Sequence, residues 1–254
     1  MAEGVSQLRE LAALAAGTRP RVPAPRHTAL WGPAVAVLRG ALSLAASWSV
    51  TGGEHVPATG PIIVACNHFS FLDPPMLAAT FPRPGHVLAK RELFAAGLGP
   101  VIAWLGAIPV NRGEADVDAL AMTLDALAQG RVIAIFPEGT RGRERPSALK
   151  AGRRGVALMA HLSGAPVVPV GIAGTDVVER LSDLARMPLR RPHFDVRIGS
   201  ALTFERYDRL PPSAVLTATT DAIMRGIALQ LPARYRGVYG DAATPGARAT
   251  SGSS

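Results

Sequence analysis

The sequence predicts an α/β fold: a mixed, mostly parallel sheet flanked by helices and preceded by an N-terminal helical element. Three observations carry this expectation. Apolar runs of strand length recur along the chain, each closed by a turn containing polar residues or glycine. Between them lies helical periodicity, clearest over 114–129, where Val117, Leu120, Ala121, Leu124, Leu127 and Ala128 repeat at three and four. Ahead of both, residues 29–50 hold a single charge, Arg39.

In chain order, residues 6–16 predict a short helix and 17–27 a Pro- and Arg-rich linker, so 1–28 form an extension. As a helix, 29–50 align Arg39, Ser43 and Ser47 on one polar stripe. Leu38, Leu42, Leu44 and Ala45, with Trp31 and Trp48 near the ends, cover much of the rest. That pattern describes a helix lying in a membrane interface, with Arg19, Arg21 and Arg26 upstream facing anionic lipid. The length also allows a bilayer span, and an ordinary core helix is the third reading. Pro33 and the central Arg39 oppose a span, the arginine alone costing about 2.5–3.5 kcal/mol on insertion. A signal peptide is not expected, because the apolar run starts late and no convincing cleavage site follows.

Strands are expected at 61–66, 86–90, 106–112, 132–136, 167–171 and 194–199. Helices are expected at 74–81, 92–104, 114–129 and 213–231, the last stopped by Pro232. Glu114, Asp116 and Asp118 in the first turns of 114–129 read as charges compensating the helix dipole, and Gly130 follows its end. Residues 51–236 thus form the α/β domain and 237–254 a small-residue tail expected to be disordered.

The 254 residues are 48 % hydrophobic, enough for a sizeable single core. The formal net charge of +8 fits nucleic acid, an anionic membrane face or an acidic substrate. Nucleic acid is disfavoured: aromatics are only 5 %, and neither a dense basic stripe nor a zinc-ligand spacing is present. The lone cysteine, Cys66, excludes an intrachain disulfide and reads as a small core residue ending a strand.

The run Asn67-His68-Phe69-Ser70-Phe71-Leu72-Asp73-Pro74-Pro75 directly follows the 61–66 strand. A carboxylate bonded to one imidazole nitrogen fixes the tautomer, so the other nitrogen can take a proton from a hydroxyl. Asp73 before Pro74 is equally a helix N-cap, and the two roles are compatible. The run Phe136-Pro137-Glu138-Gly139-Thr140-Arg141 ends a second strand with an acid, a glycine and a planar cation suited to phosphate oxygens. Gly106 to Arg112 delivers another arginine. In a parallel sheet these turns emerge on one edge, where such folds bind ligands.

With Val167-Val168-Pro169-Val170-Gly171 and the basic turn Leu149-Lys150-Ala151-Gly152-Arg153-Arg154-Gly155, these motifs resemble the glycerophospholipid acyltransferase family over about residues 50–200. The closest likeness is to the bacterial 1-acylglycerol-3-phosphate acyltransferases. The resemblance implies an O-acyltransferase domain over 51–236 and an N-terminal membrane-docking helical element. It implies acyl transfer from acyl-CoA or acyl-acyl carrier protein to the free hydroxyl of 1-acylglycerol-3-phosphate, giving phosphatidic acid in phospholipid biosynthesis. His68 and Asp73 become the catalytic pair, while Lys90, Arg112, Glu138, Gly139, Thr140 and Arg141 bind substrate. Lys90 is otherwise a surface lysine, Arg112 a solvated turn residue and Arg141 an ion-pair partner of Glu138. Lys150, Arg153 and Arg154 sit at a helix start, which the dipole disfavours for cations unless an anion binds there. Donor phosphates on Lys150 and Arg153 are one such anion, an acidic carrier protein another.

No metal ligand set and no redox cofactor are expected, because a thioester is already activated. The partners expected are the membrane lipid substrate, acyl-CoA or acyl carrier protein, and an anionic membrane surface, with no nucleic acid. The expected location is the cytoplasmic face of the cell membrane, peripheral or monotopic. The sequence lacks a Gly-x-Ser-x-Gly elbow, a phosphate-loop Gly-Lys motif, a dinucleotide fingerprint and His-Glu-x-x-His. Two other readings stay open: transfer to another lipid alcohol, such as a lyso-aminolipid or glycerol 3-phosphate, and a non-catalytic phospholipid-binding membrane protein.

Overall fold

The structure, a computed structural model, describes Ala13 and residues 31–95, 99–104, 106–111, 116–139, 147–178 and 181–241. The helix expected at 6–16 (Ala13 apart), the 17–27 linker and the tail from 242 lie outside these residues. Among them, helices α1 (Trp31–Ala45), α2 (Asp73–Thr80), α3 (Glu92–Ala95), α4 (Gly99–Trp104) and α5 (Val117–Ala128) precede α6 (Gly155–Ser163), α7 (Leu181–Leu184), α8 (Met187–Arg190) and α9 (Ser213–Leu229). The strands are β1 (Ser47–Thr51), β2 (Ile62–Cys66), β3 (Gly85–Lys90), β4 (Ile108–Val110), β5 (Val132–Ile135), β6 (Val167–Ala173) and β7 (His193–Ile198).

They form one sheet in the order β1-β7-β6-β2-β5-β3-β4. The β6–β7 pair is antiparallel and every other neighbour parallel, so β1 and β7 run against the remaining strands. The fold is therefore α/β with a mixed, mostly parallel sheet, as the sequence predicts. Strand β2 sits inside it, buried along its whole length because both faces are covered. Ile63 and Ala65 pack with Leu120 of α5, Met159 of α6 and Ile223 of α9. Ile62, Val64 and Cys66 alternate to the other face, against Leu42 of α1, Met76 of α2 and Met187 of α8. Cys66 is thus a core residue, and burial pushes its thiol well above the usual range.

Three expectations need correction. The apolar N-terminal helix stops at Ala45, and Ser47–Thr51 is a strand paired in register with β7. Trp48 and the β-branched Val50 and Thr51 suit a strand, and Ser49 donates its hydroxyl to Asp195 across the pair. Ser47 and Trp48 therefore leave the proposed interfacial helix. Among the described residues, no helix is long and apolar enough to cross a membrane. Within the helix expected over 92–104, Glu92–Ala95 and Gly99–Trp104 are helical and 96–98 lie outside the described residues; a side chain on Gly99 would meet the Phe94 carbonyl at 2.0 Å, an approach that glycine allows. Asp116 is not a surface charge. It caps α5, accepting from the Ala119 N–H at 2.9 Å and the Asn111 N–H at 2.8 Å. Finally, residues 237–240 belong to the fold: Gly237–Tyr239 is a 3-10 turn with Tyr239 buried.

Candidate active site

Strands β6, β2, β5, β3 and β4 all end on one sheet edge, and their C-terminal turns carry the site. Asn67, just past β2, extends the ladder with its side chain. Its amide donates to the Ile172 carbonyl at 2.8 Å and accepts the Ile172 N–H at 2.7 Å, so β6 fixes where the next residue begins. That residue is His68.

The His68 Nδ1 lies 3.2 Å from Oδ2 of Asp73. The same oxygen accepts the N–H of Phe69 at 2.6 Å and of Ser70 at 2.7 Å. The Thr175 hydroxyl donates to Oδ1 at 2.6 Å. Four donors converge on a carboxylate that is 0 % exposed, so its oxygens act as acceptors and the imidazole proton sits on Nδ1. Nε2 remains for an incoming hydroxyl, with no hydrogen bond to it among the described residues. The ring packs on Phe136 with centroids 4.5 Å apart, which limits its rotation.

The N-cap reading of Asp73 is overturned. Leu72 occupies the cap, Asp73 is the first helical residue, and its carboxylate turns back toward the 68–70 loop. The five-residue spacing makes this possible: the turn between β2 and α2 folds its own N–H groups around the acid.

Glu138, in the turn after β5, accepts the His68 backbone N–H at 2.8 Å and the Lys150 N–H at 3.1 Å. It is 5 % exposed, and desolvation raises its carboxyl from 4.5 to about 7 against the pull of those two bonds. Gly139 adopts φ 73°, and a Cβ there would stand 2.6 Å from Nε of Arg153. The Arg153 N–H donates to the Pro137 carbonyl at 2.8 Å, so the basic turn before α6 is bonded to the acidic turn after β5. These contacts bring His68, Asp73, Glu138, Gly139, Lys150 and Arg153 together. Lys90 ends β3 on the same edge, two strands from β2, with its ammonium 2.9 Å from Glu92. Arg112, Thr140 and Arg141 lie outside the described residues.

A base–carboxylate pair on a sheet edge is open to several chemistries, and comparison with known proteins narrows them. The acyltransferase family model matches residues 47–173, from β1 to the end of β6. The chain belongs to the acyltransferase family. The 1-acyl-sn-glycerol-3-phosphate acyltransferase of Bacillus subtilis is 29 % identical over 188 residues, which is 73 % of this chain and 89 % of that one. The enzyme of the same name from Borreliella burgdorferi is 33 % identical over 130 residues, about half of each chain. The crystal structure of the 1-acyl-sn-glycerophosphate acyltransferase PlsC from Thermotoga maritima shares the fold, with a TM-score of 0.58 at 22 % identity over 78 % of this chain and 79 % of that one.

In this acyltransferase, sequence reasoning missed two supports of the pair. Thr175 lies beyond the matched residues, at the end of β6, and reaches Asp73 across 102 positions. Its signal was Gly174-Thr175-Asp176, a polar turn closing a buried parallel strand on the ligand edge. Asn67 entered as a motif member without a role, and its clamp on Ile172 supplies one. Asp176 next to Thr175 accepts from Ser147 at 2.8 Å and from the Tyr235 hydroxyl at 2.9 Å, while the Tyr235 ring stacks on Phe69. The chain after α9 therefore packs on the loop that carries His68.

Proposed function

We propose that this acyltransferase moves a fatty acyl group from an acyl thioester to the free hydroxyl of 1-acylglycerol 3-phosphate, giving phosphatidic acid. The buried His68–Asp73 pair on an edge flanked by basic turns is the observation that supports it most. His68 Nε2 takes the hydroxyl proton as that oxygen attacks the thioester carbonyl. Asp73 stabilises the imidazolium formed, the tetrahedral intermediate collapses, and the thiolate leaves and regains the proton. Base catalysis of this kind contributes on the order of 10²–10⁴ in rate.

Lys90, Arg112 and Arg141 hold the acceptor phosphate, with Glu138, Gly139 and Thr140 shaping that turn. Lys150 and Arg153 meet the phosphates of coenzyme A or an acidic carrier protein. No metal or redox cofactor takes part in this scheme. The acceptor enters from the cytoplasmic face of the membrane, with which the protein associates peripherally.

The test crosses an acceptor panel with acyl-CoA and acyl-carrier-protein donors and identifies products by mass. Phosphatidic acid as the dominant product is expected. Turnover confined to a phosphate-free lipid alcohol or to glycerol 3-phosphate would overturn the acceptor, and binding without transfer would overturn catalysis.

A further inference from the structure

Between β6 and β7 the chain leaves the sheet on the catalytic edge, and this excursion starts against the catalytic loop: the Ser70 hydroxyl donates to the Val178 carbonyl at 2.6 Å. Its outer turn reads Arg186-Met187-Pro188-Leu189-Arg190-Arg191. Met187 anchors the turn in the core, yet Leu189, two residues on, is 89 % exposed. Arg186, Arg190 and Arg191 around it are exposed as well. Arg191 adopts φ 40°, the one non-glycine positive φ among the described residues, so the turn is held in a conformation that L side chains rarely adopt. Its guanidinium donates to the Ser43 carbonyl at 3.3 Å, one residue from Leu44 of α1, which is 77 % exposed. Beside this turn a cleft is lined by Val177, Val178 and Met187, with Arg186, Arg190 and Asp183 also on its walls.

An exposed leucine with exposed arginines on both sides of it in one short turn is poorly matched to bulk water and well matched to a bilayer surface. The leucine enters the acyl boundary while the cations meet lipid phosphates. We propose that residues 186–191 form a contact surface for anionic phospholipid bilayers that seats the catalytic edge on the membrane. The inference deepens the membrane-face reading above and adds a surface that adjoins the N-terminal helix. An acidic carrier protein is the competing partner for the arginines. It gives no reason for Leu189, or for Leu44 close by, to be bare.

Full-length protein is sedimented with phosphatidylcholine vesicles and with vesicles containing about 30 % phosphatidylglycerol, at low and high salt. The variants are Leu189→Ser, Arg190→Glu and a control, Arg209→Glu, in the loop after β7 at the opposite edge. Thermal melts confirm that each is folded. Wild type should bind the anionic vesicles in a salt-sensitive way. Arg190→Glu should weaken that binding about fivefold to tenfold, from about 1 kcal/mol per surface arginine plus the added repulsion. Leu189→Ser should weaken it on both vesicle types, and the control should stay within about twofold of wild type.

Folded Leu189→Ser and Arg190→Glu variants that bind as wild type does would overturn the proposal, as would equal losses in the control. Unchanged vesicle binding with a loss seen only for a carrier-protein donor would assign the arginines to that partner instead. Failure of acyl transfer by wild type would refute the proposed reaction and leave the vesicle result standing, so the two failures are distinguishable.

Discussion

Glu138 reaches from the turn after β5 to accept the backbone N–H of His68 at 2.8 Å, so the acid of one motif positions the histidine of another. Its buried carboxyl, raised from 4.5 to about 7, gives this contact a pH signature. Between those values the folded protein holds a proton there that the unfolded chain has released. The contribution to stability is full below about 4.5 and falls as pH rises through about 7, by on the order of 3 kcal/mol in all. Glu138→Gln removes this titration. Wild-type stability minus that of Glu138→Gln, from denaturant melts, should therefore fall by on the order of 3 kcal/mol from pH 4.5 to 7 and level off above; a difference independent of pH would contradict the assignment.

Asp73→Asn separates catalysis from scaffolding. The amide oxygen can take the three N–H groups now on Oδ2, while its NH₂ donates to the Thr175 hydroxyl, so the fold is kept. The negative charge that stabilises the imidazolium is lost, and kcat should fall on the order of 10³–10⁴ with a near-normal melting temperature. Asp73→Ala leaves buried N–H groups unpaired and should cost about 1–3 kcal/mol of stability besides.

Thr175→Val removes the donor to Oδ1 with little change of shape, and Thr175→Ser retains it. The valine variant should lose about tenfold in kcat with KM little changed, and the serine should recover most of that. Equal activity in both would make Thr175 a packing residue alone.

Lys90→Ala and Arg141→Ala should raise the KM for 1-acylglycerol 3-phosphate more than they lower kcat. One charge-assisted bond to phosphate is worth about 1.5–3 kcal/mol, roughly tenfold or more. Steady-state kinetics in the acceptor at saturating donor read this out. Unchanged acceptor KM in both variants would move the phosphate elsewhere.

The fold class was legible because β2, β5 and β6 are continuous apolar runs, the pattern of strands covered on both faces. Strand β1 was not, since Ser47–Thr51 follows an apolar helix directly and only its pairing partner, 146 residues away, makes it a strand. The same holds within the site. His68 and Asp73 share one turn and could be read from local spacing, whereas Thr175 and the Lys150 N–H reach the site only through the order β5-β2-β6. Asp116 shows the converse: its acid pattern resembled dipole compensation, but the bond to Asn111 makes it a joint between β4 and α5.

The most direct measurement compares wild type with His68→Ala for initial rates of phosphatidic acid formation from 1-acylglycerol 3-phosphate and acyl-CoA, with acceptor binding measured in parallel. The account predicts a loss on the order of 10²–10⁴ in rate with acceptor affinity retained. A variant that transfers acyl groups within about tenfold of wild type would show that His68 is not the base.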